Sequence, residues 1–153
     1  MTLADRIERT MVLPAQRQRV WEAVTKPEQL AHWFGVVSEM DFRVGGAIQF
    51  SWENEPCPYP GVIEVIEPVQ RFAFRWPSYA VSLPNVTFAT EPSTLVEITL
   101  EEHAEGTLLT LVESGFASLP QPIPAEEAYR DNFDGWQECL NGLHAYLQSQ
   151  EVV

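Results

Sequence analysis

Basic residues are scarce in this chain. Lys and Arg number 9 against 22 Asp and Glu, a formal net charge of -13 over 153 residues. Such a surface repels phosphate backbones and anionic lipid headgroups, and no Lys/Arg cluster offsets it, so nucleic-acid binding is not expected. Charge of this sign chiefly favours solubility. Cysteine is scarce too. Cys57 and Cys139 lie far apart and neither belongs to a CxxC pair, so two free thiols are expected rather than a disulfide. No run approaches 18 apolar residues, and no N-terminal stretch has the basic-then-apolar form of a signal peptide. The expectation is a cytoplasmic protein with no membrane insertion. HxH and HExxH are missing, and His32, His103 and His144 show no ligand spacing, so neither a metal nor another cofactor is expected. GxSxG is missing, so Ser114-Gly115 is no nucleophile elbow. Gly45-Gly46 has no GxxxxGK or GxGxxG context and reads as a turn rather than a phosphate cradle.

Aromatic rings, in contrast, are plentiful: Phe 8, Trp 5 and Tyr 4. Large rings fill cores and also line ligand cavities. The length suits one domain over residues 1–153, burying roughly 70% of its unfolded surface. No internal repeat or low-complexity tract divides it.

The pattern along the chain predicts an α+β protein. Ile7 to Leu13 reads as a strand ended by Pro14. Gln16 to Thr25 and Glu28 to Trp33 read as two short helices, with Gly35 expected as a left-handed cap. Extended segments follow around Met40-Asp41-Phe42, Ala47 to Trp52, Gly61 to Glu67, Arg71 to Trp76, Thr94 to Glu101 and Thr107 to Ser114, joined mostly by short turns. Pro77 to Ser93 reads as a long loop, with room for a short edge strand at Val86 to Ala89. Short turns between consecutive strands argue an antiparallel sheet of about six or seven strands. A last helix from Ala125 to Ser149 would span roughly 37 Å. It carries Tyr129, Phe133, Trp136, Leu140, Leu143 and Leu147 at steps of three and four, one apolar stripe that has to lie across the sheet.

Several pieces, in this order and spacing, carry a family resemblance. They are Ile7-Glu8-Arg9-Thr10, Pro14 with Val20 to Thr25, Pro27 to Leu30 leading to Trp33-Phe34-Gly35, and Asp41 to Gly46. Gly61 to Pro68, Arg71 to Trp76, Thr94 to Leu100, Gly106 to Leu111 with Glu113 to Phe116, and Trp136 complete the set. The chain resembles the START-like, Bet v-like (SRPBCC) superfamily, and within it the activator of heat-shock protein 90 ATPase homologue family. The resemblance implies a helix-grip fold: a curved antiparallel sheet wrapped around the long C-terminal helix, with a hydrophobic tunnel between them. Pro77 to Ser93 is longer than the family's usual connection there. The superfamily includes lipid carriers, hormone receptors, polyketide cyclases and stress-linked co-chaperones, so function has to be argued from the site.

Alternation places Phe50 and Trp52, and Phe74 and Trp76, on sheet faces that should oppose the helix. With Trp33, Phe34, Tyr129, Phe133 and Trp136 they form the expected wall of a cavity of roughly 300–1,000 Å³; plain core filling is the alternative. Glu64, Arg75, Glu113 and Asn132 are the polar groups near that wall. Charged residues are seldom buried, so a solvated outer face or an ion pair is expected for them; an inward turn would mark a site. The leading functional reading is binding of a small hydrophobic molecule in a carrier or stress-response role. Docking on heat-shock protein 90 is a second, weakened by the lack of the separate N-terminal domain that full activators carry. A cyclase-type enzyme is a third, with scattered His32, Glu64 and Glu113 and no convincing catalytic set. A homodimer is left open.

Overall fold

The computed structural model describes residues 6–51, 59–76, 93–116 and 123–149; for Ser38, Tyr59 and residues 123–133 it describes the backbone alone. The order is β1 (Arg6–Leu13), α1 (Arg17–Thr25), α2 (Pro27–Leu30), β2 (Val36–Met40), β3 (Ala47–Ser51), β4 (Tyr59–Glu67), β5 (Arg71–Trp76), β6 (Thr94–His103), β7 (Gly106–Ser114) and α3 (Ile123–Ser149). The seven strands form one antiparallel sheet in the order β1-β7-β6-β5-β4-β3-β2. Every step from β2 to β7 joins sequence neighbours. The chain crosses from one edge, β1, to the other, β2, through α1 and α2.

Two register shifts curl the sheet: one between Val37 and Glu39 on β2, the other between Ile63 and Val65 on β4. An extra residue on one strand bends it and increases the local twist. The result is a half-barrel whose inner face holds the core, with α3 against it: the α+β helix-grip arrangement. Period-two burial runs through the strands. Phe72, Phe74 and Trp76 point inward from β5, Thr94, Val96, Ile98 and Leu100 from β6, and Thr107, Leu109, Leu111 and Glu113 from β7. On α3 the buried side chains are Trp136, Leu140, Leu143 and Leu147, four members of the predicted stripe. Tyr129 and Phe133 lie among the residues whose side chains are not described.

Local chemistry explains the turns. Gly45 has φ +84°, a left-handed conformation that a side chain disfavours. A Cβ on Gly46 would sit 2.0 Å from the Asp41 carbonyl oxygen. The Gly45 N–H donates to Ile63 O at 2.7 Å, and the Ile63 N–H donates to Gly46 O at 2.9 Å. The turn between β2 and β3 is therefore stitched onto β4.

Three expectations need correction. Gly35 does not take the left-handed conformation; the described glycines that do are Gly45, Gly106 and Gly115. Instead the N–H groups of Phe34 and Gly35 both donate to Leu30 O, at 2.8 and 3.2 Å, and close the end of α2 without that cap. The second short helix ends at Leu30 rather than Trp33 and continues as a turn through Phe34. The strand expected around Met40-Asp41-Phe42 ends at Met40, where the Asp41 N–H donates across the turn to Ala47 O at 2.8 Å. The long connection after Trp76, with the edge strand expected at Val86 to Ala89, lies outside the described residues.

Candidate functional site

A layer of aromatic rings separates α3 from the curled sheet. From the sheet come Phe50 on β3 and Phe74 and Trp76 on β5, with centroids 5.3 to 5.9 Å apart. From α3 comes Trp136, 6.0 Å from Trp76. Phe34 enters between them from the turn after α2. It lies nearly parallel to Trp136, at 5.2 Å and 16°, and edge-on to Phe50, at 4.9 Å and 75°. Offset and edge-to-face geometries at these separations are the favourable ones for ring pairs. Phe34 is half-buried, while Trp33, Phe50, Phe74, Trp76 and Trp136 are buried.

Trp33 makes its polar contact away from that layer. Its indole N–H donates to Ala23 O on α1 at 2.8 Å. Gly142 of α3 faces it, since a Cβ there would meet Trp33 atoms at 3.8 to 4.0 Å, ordinary van der Waals contact. Trp33 is thus a strut between α1 and α3, and its donor is already committed.

Among the described residues, the space enclosed by this layer is about 10 Å³, lined by Val24, Leu30, Trp33, Phe34, Phe50, Phe72, Phe74, Ile98 and Trp136. That holds one water at most. Within the expected wall the described residues account for this small space alone, and the Phe34 ring occupies the gap between Phe50, Trp76 and Trp136. Two larger depressions, of about 450 and 520 Å³, lie elsewhere around Arg17 and Glu102. Charged side chains line them and they open to solvent, so they do not suit an apolar ligand.

One acid breaks the apolar character of the layer. Glu113 on β7 has no exposed surface. Its Oε2 accepts from the Trp76 indole N–H at 3.0 Å and from the Thr94 hydroxyl at 2.5 Å. Its Oε1 accepts from the Trp136 indole N–H at 2.8 Å. An indole N–H can only donate, so two of these three bonds have a fixed direction. Burying a carboxylate is unfavourable unless donors satisfy it, and these donors come from three separate elements.

The other polar candidates lie elsewhere. Glu64 is exposed on the outer face of β4 and pairs with Arg75 at 3.0 Å. It does not face the layer, because it is out of phase with the buried Ile63. The side chains of Asn132, Tyr129 and Phe133 are outside the described set, as is Trp52. His32 is exposed and stacks on Tyr146 at 4.7 Å. Cys139 is a free thiol; burial, with a smaller effect from the Glu138 charge, pushes it up to about 11. Cys57 is outside the described residues. Among the described residues no group of His, Cys, Asp and Glu is arranged to hold a metal ion, and no helix is long and apolar enough to cross a membrane.

Sequence reasoning undervalued Glu113 and missed Thr94. The signal was present: Glu113 follows Leu109 and Leu111 at a period of two, and Thr94 precedes Val96 and Ile98 at the same period. Both therefore belong to the inward face.

A family model described as Activator of Hsp90 ATPase homolog 1-like protein matches residues 14–148. The chain belongs to this family. Solved structures of the same SRPBCC fold agree. DynU16, from the dynemicin biosynthetic locus, is 27% identical with a TM-score of 0.74, over 97% of this chain and 49% of its own. The chain thus spans about half the length of DynU16. CV1439 from Chromobacterium violaceum is 27% identical with a TM-score of 0.68, over 94% of this chain and 98% of its own. MLL2253 from Mesorhizobium loti, at 19% identity and a TM-score of 0.75 over 97% and 99%, shares the fold. No curated protein matches the chain. Among the described residues of this chain, the ring layer and its buried acid are the candidate site.

Proposed function

We propose that this member of the Activator of Hsp90 ATPase homolog 1-like family binds a small hydrophobic molecule between the sheet and α3, in a carrier-type role. The observation that carries the reading is the half-buried Phe34 ring, packed between sheet and helix on a turn rather than on a strand or α3. A side chain on a turn can swing out without breaking the sheet ladder, and the space it vacates has aromatic walls on both sides. Apolar walls with a few placed polar groups are the usual composition of small-molecule sites. The TM-score of 0.74 to a protein from a biosynthetic locus fits a small-molecule role. Of the residues expected to contact the ligand, Trp33, Phe34, Phe50, Phe74 and Trp136 line the small enclosed space, and Trp76 packs against Phe34 and Trp136 beside it. Tyr129, Phe133, Trp52 and Asn132 remain part of the proposal on sequence grounds.

The test is a native mass-spectrometry and dye-displacement screen against lipids, polyketides and polycyclic aromatics. Saturable binding that is altered in Phe34→Ala is expected. No binding to any class refutes the reading. A second reading, docking on Hsp90, draws on the family match and on the exposed Val36, Phe42 and Val44 near the β2 edge. An ATPase assay with the cognate chaperone decides it: no change in rate removes it.

A further inference from the structure

Among the described residues, the large apolar side chains left exposed are Val36, Phe42 and Val44, at 56, 45 and 60%. Single scattered exposures need no explanation. These three flank one strand, β2, with Val36 at its start and the other two just past its end. They are also held in place. The Phe42 ring lies against Phe72 at 6.0 Å, and the turn carrying Val44 is stitched onto β4. β2 ends the sheet order, so its outer side presents alternate N–H and C=O groups with no strand against them among the described residues. Apolar side chains around an open row of backbone donors and acceptors suit an added strand.

Charge decides whose strand it is. Glu39, exposed on β2, has no ion-pair partner among the described residues, while Asp41 and Arg43 neutralise each other at 2.7 Å. A second copy would bring another Glu39, and another net charge of -13, against the first. That opposes self-pairing. A basic segment meets attraction instead. We propose that the β2 edge takes up an extended basic segment of another protein as an added strand, with a Lys or Arg facing Glu39 and an apolar side chain on Val36. The bulge sets the spacing. Val37 and Met40 pack against the core, while Val36 and Glu39 face out. Across the register shift these last two pair with Ser51 and Gln49, two residues apart on β3. A regular incoming strand therefore meets them with positions two apart: apolar, any residue, basic. The proposal goes beyond the ligand reading and does not require Hsp90, whose ATPase assay remains a separate test.

The test is fluorescence anisotropy with a short labelled peptide that alternates Thr with Val and Lys. Its controls are a counterpart with Glu for Lys and a copy with Pro at the centre, which cannot complete a strand. Wild-type protein should bind the basic peptide about 10-fold tighter or more than either control at low salt, and the preference over the acidic peptide should shrink as salt is raised. Amide hydrogen exchange over Val36–Met40 should slow when the basic peptide is bound. Glu39→Lys should cut the preference for the basic over the acidic peptide by about threefold or more. Val36→Ser with Val44→Ser should weaken binding by about fivefold or more. No binding of the basic peptide at millimolar concentration, equal affinity for all three peptides, or slowed exchange confined to other segments overturns the proposal. So does a wild-type dimer in sedimentation velocity that Glu39→Lys or Val36→Ser abolishes, since a second copy then covers the edge. The substituted side chains are exposed, so the variants should fold, as circular dichroism checks; the wild-type comparison of the three peptides decides the proposal without them.

Discussion

Replacing Trp136 with Phe should destabilise the protein by about 3 kcal/mol. The indole N–H sits 2.8 Å from Glu113 Oε1 in a site with no exposed acid surface. A hydrogen bond to a charged, buried group contributes about 1.5–3 kcal/mol, because its loss leaves an acceptor short of a partner away from water. The smaller ring also leaves a void of a few tens of Å³, which at about 24 cal/mol per Å³ adds about 1 kcal/mol. For a chain of this length, about 2–4 °C per kcal/mol converts the sum to a fall in Tm of roughly 6–12 °C. Thermal and urea denaturation followed by far-ultraviolet circular dichroism give the number. A double-mutant cycle with Glu113→Gln isolates the bond itself and should show a coupling free energy of about 1 kcal/mol or more. A Trp136→Phe protein within about 0.5 kcal/mol of wild type, or strictly additive substitutions, refutes the idea that this contact ties helix to sheet.

Phe34→Ala should cost about 2 kcal/mol, below the 3–5 kcal/mol of a fully buried Phe because the ring is half-buried, and should raise Nile red fluorescence by opening the layer; unchanged fluorescence excludes Phe34 as the plug. Gly46→Ala should cost about 2–4 kcal/mol in urea unfolding, since its Cβ would lie 2.0 Å from the Asp41 carbonyl oxygen. Gly45→Ala, with nothing within 4 Å of the new Cβ, should cost only the left-handed strain of about 1–2 kcal/mol; the opposite ranking contradicts the turn geometry. The Cys139 thiol, raised from 9.0 to about 11, stays protonated in the folded chain while the unfolded chain loses its proton. The unfolded state then binds fewer protons, so the thiol's contribution to stability is intact below pH 9 and declines as pH rises towards 11. Cys139→Ala should flatten that limb of the pH–stability curve, and an unchanged limb assigns it to other groups.

The fold was legible because its signals are local. Phe72, Phe74 and Trp76 alternate, Gly45-Gly46 punctuates, and Trp136 to Leu147 recur at helical spacing; each pattern needs only neighbouring residues. The site was less legible because it depends on register. Nothing in the residues around Glu113 says that Thr94 and Trp76 will be cross-strand partners of each other beside it, or that Trp136 will arrive from the helix at the same height. The period of two through Leu109, Leu111 and Glu113 did point the acid inward. The general rule that charges avoid interiors outweighed it, and the rule fails here because donors on three elements, among the described residues, converge on one carboxylate. Glu64 shows the rule succeeding, out of phase with Ile63 and paired with Arg75 at the surface. The filled gap was beyond reach for another reason. A count of rings is the same whether they line a cavity or occupy it, and only the conformation of the turn carrying Phe34 separates the two.

That filled gap constrains how a ligand can be held. If the molecule enters where Phe34 lies, the apolar surface it buries replaces surface that Phe34 already buries, so the usual gain of about 25 cal/mol per Å² is largely an exchange. Apolar area alone then yields weak, indiscriminate binding. The energy that separates one hydrophobic molecule from another then has to come from polar groups placed at the layer, and Glu113 is the buried acid among the described residues there. Selectivity for a donor should therefore exceed selectivity for ring size. Across a series of fused-ring compounds, affinity should step with the presence of a hydroxyl and change only gradually with added apolar area. A series that tracks area alone would mean that the ligand reaches the layer without displacing Phe34.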